Sequence, residues 1–105
     1  MRLPLFLAFA TLAAASPALA SSDDAWAEFA REVETKCLEA AAPMLENARA
    51  VVDPFGSERF GLAILTGKAK GADATVSHIC VMDKQAGTVE LGSELTADVV
   101  EVTVP

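Results

Sequence analysis

The apolar positions of this chain follow three different spacings, and each spacing predicts a different element. Between Leu3 and Ala15 they are nearly continuous, interrupted by Pro4 and Thr11. Met1-Arg2 precedes this run. Pro17 follows it, and Ala18-Leu19-Ala20 then places small residues at the −3 and −1 positions before Ser21. That is the pattern of a cleavable secretory signal peptide over residues 1–20. A membrane anchor is the competing reading. The run is too short to span a bilayer with ease, and no basic stop-transfer cluster follows it.

The spacing then becomes helical. Trp26, Phe29, Ala30, Val33, Cys37 and Ala40 form one stripe at steps of three and four, while Glu28, Arg31, Glu32, Glu34, Lys36 and Glu39 lie opposite. Ser21 to Asp24 offer N-caps and put negative charge at the positive end of the helix dipole. Glu32 and Lys36 stand in the favourable i,i+4 order. Pro43 leaves two outcomes open. Either the helix kinks there and runs on through Met44, Leu45, Ala48 and Val51, or it stops and Pro43 opens a second short helix. Asp53-Pro54-Phe55-Gly56-Ser57 ends helical structure in both cases.

From Phe60 onward the pattern alternates, with strands expected over 59–66, 75–82 and 88–95. Residues 99–104 read as a fourth strand or a docked tail. A four-residue loop at 84–87 pairs Met82 with Val89, Cys80 with Leu91 and His78 with Ser93. A loop closed by Gly67 and Asp73 pairs Phe60 with Cys80, Leu62 with His78 and Ile64 with Val76. The even-numbered residues then share the buried face. The opposite face shows Leu65, Ile79 and Val81, with Ile79 set between Gly61 and Gly92. Glycine within a strand marks the close approach of another backbone. Either the C-terminal segment folds over Ile79, or these are a few exposed apolar residues without a role, or Leu65, Ile79 and Val81 form a face for a partner or a second copy.

Cysteine content sharpens this outline. Cys37 and Cys80 are the only two, and an exported chain meets oxidising conditions, so a disulfide between helix and middle strand is expected. There is no Cys-x-x-Cys redox motif. The expected fold class is therefore α+β. One N-terminal amphipathic helix packs on a three- or four-stranded antiparallel meander, stapled by one disulfide, and residues 21–105 form a single domain.

Charge and chemistry narrow the function. The 105 residues carry a formal net charge of −7, which argues against binding a phosphate backbone. Two cysteines and one histidine do not make a four-ligand zinc site, and the carboxylates show no EF-hand register, so no metal or cofactor is expected. His78 is the sole side chain suited to acid–base work near neutrality, and it reads as a buried structural residue. Ser77 points to the other face, and no Gly-x-Ser-x-Gly elbow is present. Gly67-Lys68 lacks the upstream spacing of a phosphate loop and has Ala69 in place of Ser or Thr. The reading that remains is a small exported, periplasmic or secreted, non-catalytic protein. It reads as a binding or inhibitor-like module for a protein or peptide partner. The alternative is an acidic envelope-associated protein with a structural role.

Overall fold

A computed structural model describes residues 22–104. The signal-peptide reading falls outside them. The order of elements is α1 (Ser22–Ala41), β1 (Leu45–Asp53), β2 (Phe60–Ala69), β3 (Thr75–Asp83), β4 (Val89–Leu91) and β5 (Leu95–Thr96). The sheet is antiparallel throughout, with β1, β2, β3 and β4 side by side and β5 continuing alongside β3. The helix packs across one face.

The buried stripe of α1 is narrow. Val33, Cys37 and Ala41 are fully covered, with Phe29 and Leu38 flanking them, while Trp26 remains 40% exposed. Glu32 and Lys36 form the expected i,i+4 ion pair at 3.1 Å. Lys36 also donates to the Gly87 carbonyl at 2.9 Å, tying the helix to the β3–β4 turn. Cys37 and Cys80 are disulfide-bonded, with Cα atoms 6.1 Å apart, at the centre of the helix–sheet contact.

The helix stops before Pro43, as one expected outcome has it, but no second helix follows. The helix ends at Ala41, and Met44 N–H donates to the Ala41 carbonyl in a tight turn. Residues 45–53 then form a strand. Its apolar positions imitate helical spacing because a β-bulge lies between Glu46 and Arg49. Before the bulge Leu45 faces the core; after it Ala48, Ala50 and Val52 do. The extra residue makes the step from Leu45 to Ala48 three, after which the period of two resumes. Asn47 takes the left-handed conformation there, with φ of 54°, a geometry asparagine tolerates better than most residues. Gly67 faces the bulge from β2. A methyl group on it would lie 2.9 Å from the Glu46 carbonyl oxygen and 3.0 Å from Ala48 Cα.

The β3–β4 register is the expected one at Met82–Val89 and Cys80–Leu91. Gly87, with φ of 73°, closes the turn. The strand expected over 88–95 breaks after Leu91, and Leu95 rather than Glu94 stands opposite Ser77. The β2–β3 register differs by an odd number from the expected one. Ala63 pairs with Cys80, Ile64 with Ile79 and Leu65 with His78. The turn lies nearer the C-terminus, where Ala69 N–H bonds the Ala74 carbonyl and Gly71 takes a φ of 81°. An odd shift reverses the faces of a strand. Gly61, Ala63 and Leu65 therefore face the helix, and Phe60, Leu62 and Ile64 face away.

The reason lies in the helix. A methyl on Gly61 would sit 2.5 Å from Val33 Cγ2 and 3.0 Å from Phe29 Cζ. The helix comes so close to this end of β2 that its inner face there takes small residues, Gly61 and Ala63. Leu65, expected on the partner face, is instead fully buried in the core.

Candidate interaction surface

The outer face of the sheet can be read row by row from the pairing. One row runs Asp53, Leu62, Val81, Glu90. The next runs Val51, Ile64, Ile79 and reaches Gly92, whose N–H donates to the Ile79 carbonyl at 2.7 Å. The third runs Arg49, Thr66, Ser77, Leu95. Two apolar rows thus lie between polar ends. Ile79 is 50% exposed, and Val51, Leu62, Ile64 and Val81 are partly exposed. An open groove of ≈ 350 Å³ is lined by Val51, Asp53, Leu62, Ile64 and Ile79.

Of the expected face, Ile79 and Val81 are on this surface and Leu65 is not. Gly92 flanks Ile79, whereas Ile64 takes the place expected for Gly61. Val51, Leu62 and Ile64 were missed as surface residues. For Leu62 and Ile64 the signal was a strand apolar on both faces; Val51 lies on β1, whose bulge hid the strand.

The C-terminal segment does not form the fourth strand, and it does not cover Ile79. Ala97, Val100, Glu101 and Val102 line a cavity with Thr66, Thr75 and Ser77, at the polar end of the face. There Ser77 is buried and shares a hydrogen bond with Thr66. The tail closes the polar row and leaves the apolar rows open.

Two outer-face carboxylates, Asp53 and Asp83, are held ionised by backbone N–H groups. Asp53 accepts hydrogen bonds from Gly56 and Phe55 N–H, both at 3.0 Å. These bonds hold its carboxyl below the usual value of 3.8. Asp83 does the same with Ala86 and Gln85 N–H, each at 2.8 Å, with the same consequence. Each uses one oxygen for its turn, leaving the other for solvent or a partner.

His78 lies on the opposite, buried face at 3% exposure. Its Nδ1 is 2.9 Å from the Gly92 carbonyl oxygen, which accepts and so requires the proton on Nδ1. Nε2 is buried without a hydrogen-bond partner among the described residues. Ser77 points away from it and toward Thr66. Among the described residues no nucleophile and base are brought together around His78.

A second exposed apolar cluster sits at the end of the molecule near the start of α1. Trp26 meets Phe29 and Phe55 edge to face, with centroids 5.7 and 5.2 Å apart. Lys84 Nζ lies 5.4 Å from the Trp26 ring and 5.2 Å from Phe29, and donates to the Phe55 carbonyl at 3.0 Å. This cluster binds its own lysine and fastens the β1–β2 loop to the helix.

Among the described residues no group of three or more His, Cys, Asp or Glu is placed to hold a metal. No described helix is long and apolar enough to cross a membrane. Comparison with protein-family models, with curated proteins and with solved structures found no match.

Proposed function

We propose that the chain is a small exported, non-catalytic binding protein that engages a protein or peptide through the outer face of its sheet. The observation that carries this reading is the pair of apolar rows on the side away from the helix. Five aliphatic side chains, Val51, Leu62, Ile64, Ile79 and Val81, share one solvent-facing surface. Scattered exposed apolar residues are ordinary, but a contiguous patch rimmed by polar groups is the signature of an interaction site. Covering a half-exposed aliphatic side chain is worth about 1 kcal/mol. Val51, Leu62, Ile64 and Val81 are already mostly covered, so the five together supply roughly 2–3 kcal/mol before ordering costs are subtracted.

The disulfide and the signal-peptide pattern support export. The seclusion of His78 favours binding over catalysis. The patch favours a specific ligand over the envelope-associated structural role, which needs only charge and stability.

The test is association of the purified chain with its partner in the exporting compartment. Ile79→Asp places a charge where solvent already reaches, so the monomer is expected to melt within a few degrees of wild type. In an interface the same charge is desolvated and unpaired, so capture of the partner is lost. Unchanged capture by a folded Ile79→Asp variant overturns the reading.

A further inference from the structure

We propose that the outer face docks a cationic amphipathic helix, one whose apolar stripe is flanked on both sides by lysine or arginine. This rests on the preceding reading of the face as a docking surface, and it names the class of partner.

The argument is one of charge and span. The row Asp53, Leu62, Val81, Glu90 has two aliphatic residues in the middle and a carboxylate on each edge strand. Three strand spacings separate those carboxylates, about 14 Å. A helix is about 10 Å across with its side chains. Laid along β2 and β3, it sets its apolar stripe on Leu62, Ile64, Ile79 and Val81. Long basic side chains on its two flanks reach outward and down, their stems over the apolar surface and their heads at Asp53 and Glu90. Asp83 adds a third carboxylate in the neighbouring row, opposite Phe60. The N–H groups that engage Asp53 and Asp83 leave one oxygen of each available and hold both ionised.

The cations nearby offset this only in part: Lys84 acts on Asp53 and Arg59 on Asp83 as a nearby positive charge, while Glu90 has no salt-bridge partner among the described residues. Lys68 is paired with Glu46 at 3.7 Å. Arg59 lies against the Phe60 ring at 5.6 Å. Lys84 is engaged with Trp26, Phe29 and the Phe55 carbonyl. Arg49 stands in the polar row beyond the apolar ones, at the end where the C-terminal segment brings Glu101. A second copy of the chain fits less well. Two such faces stacked together bring carboxylate rims onto each other, in a molecule whose net charge is already −7.

The experiment uses a fluorescently labelled 14-residue peptide of leucine and lysine, patterned so that a helix carries a leucine stripe flanked by lysines. Its companion has glutamate at every lysine position. Fluorescence anisotropy at low and high salt reads the affinity for the full exported chain. The lysine peptide is expected to bind, more weakly as salt rises, and the glutamate peptide is not. Glu90→Lys is expected to weaken binding about five- to tenfold, as reversal of one exposed charge pair allows.

Ile79→Asp separates docking from mere attraction between opposite charges. It makes the protein more acidic, so unspecific attraction predicts tighter binding. Docking predicts at least a tenfold loss. If Ile79→Asp melts early, Ile79→Ser serves in its place. Equal or tighter binding by the folded variant overturns the proposal, as does indifference to the sign of the peptide charge. Should the chain's own partner depend on Ile79 but bind independently of salt and of Glu90, the cationic helix is wrong and the docking surface stands. Should nothing associate in an Ile79-dependent way, both readings fall.

Discussion

Replacing Cys37 and Cys80 together by alanine is expected to remove a large part of the stability of this fold. The bridge joins residues 43 apart in sequence and closes a loop that contains β1, β2 and the following turn. Chain-entropy arithmetic for a loop of that length gives about 4 kcal/mol at 25 °C. Both cysteines are fully buried, so the lost sulfur atoms leave small voids whose cost has the same sign. A domain of roughly 80 residues has about 4–12 kcal/mol of stability in total. The double variant therefore loses a third or more of it and is expected to melt roughly 20 °C lower. Urea unfolding monitored by Trp26 fluorescence measures the difference. The denaturant slope is expected to rise, because an unfolded chain without the crosslink exposes more surface. A loss below about 1 kcal/mol with an unchanged slope would refute this reasoning, since it would mean that the unfolded state gains no freedom when the bridge is absent.

Three further outcomes follow from local geometry. Gly61→Ala forces a methyl group into Val33 and Phe29; it is expected to cost about 1–3 kcal/mol by thermal melt, and a neutral result would place the helix farther from β2. Asp83→Asn, which weakens the hydrogen bonds to Ala86 and Gln85, is expected to lower the melting temperature at pH 7. Because the folded-state pKa of Asp83 is lowered, its contribution is present above the ordinary value of 3.8 and is lost as pH falls below it. The gap between the two melting curves should therefore close below pH 3.8. Mass spectrometry of the exported chain should find an N-terminus at Ser21, and a chain that keeps Met1 in the membrane fraction would contradict the reading of residues 1–20.

What could be read from the chain alone depended on whether each strand carried a one-sided pattern. Val89, Glu90 and Leu91 alternate cleanly, and Gly87 marks the turn, so the register of β3 and β4 was legible. The residues of β2 are apolar on both faces. Size then pointed the wrong way, because Phe60, Leu62 and Ile64 have the look of a core, while the helix admits only Gly61, Ala63 and Leu65. The strand β1 was hidden by its bulge, whose cause is a tertiary fit between Asn47, Gly67 and the neighbouring backbone. Ile79 was legible as an exposed apolar residue on the central strand. Its neighbours Val51, Leu62 and Ile64 were not, since their place on the outer face follows from those two misread strands. The error concealed how apolar the outer face is. Leu62 and Ile64 are on the outside of β2 because the helix lies too close to the inner face at Gly61 for a side chain there, and Leu65 is buried farther along the strand.

The central claim is that this outer face is where the chain meets its partner, and site-directed photo-crosslinking tests it most directly. A benzophenone side chain at position 79 lies in the middle of the apolar rows, and one at position 35 lies on the exposed side of α1. Irradiated in the exporting compartment, the position-79 protein is expected to form one discrete adduct that the position-35 protein lacks. An adduct from position 35 with none from position 79 would contradict the claim.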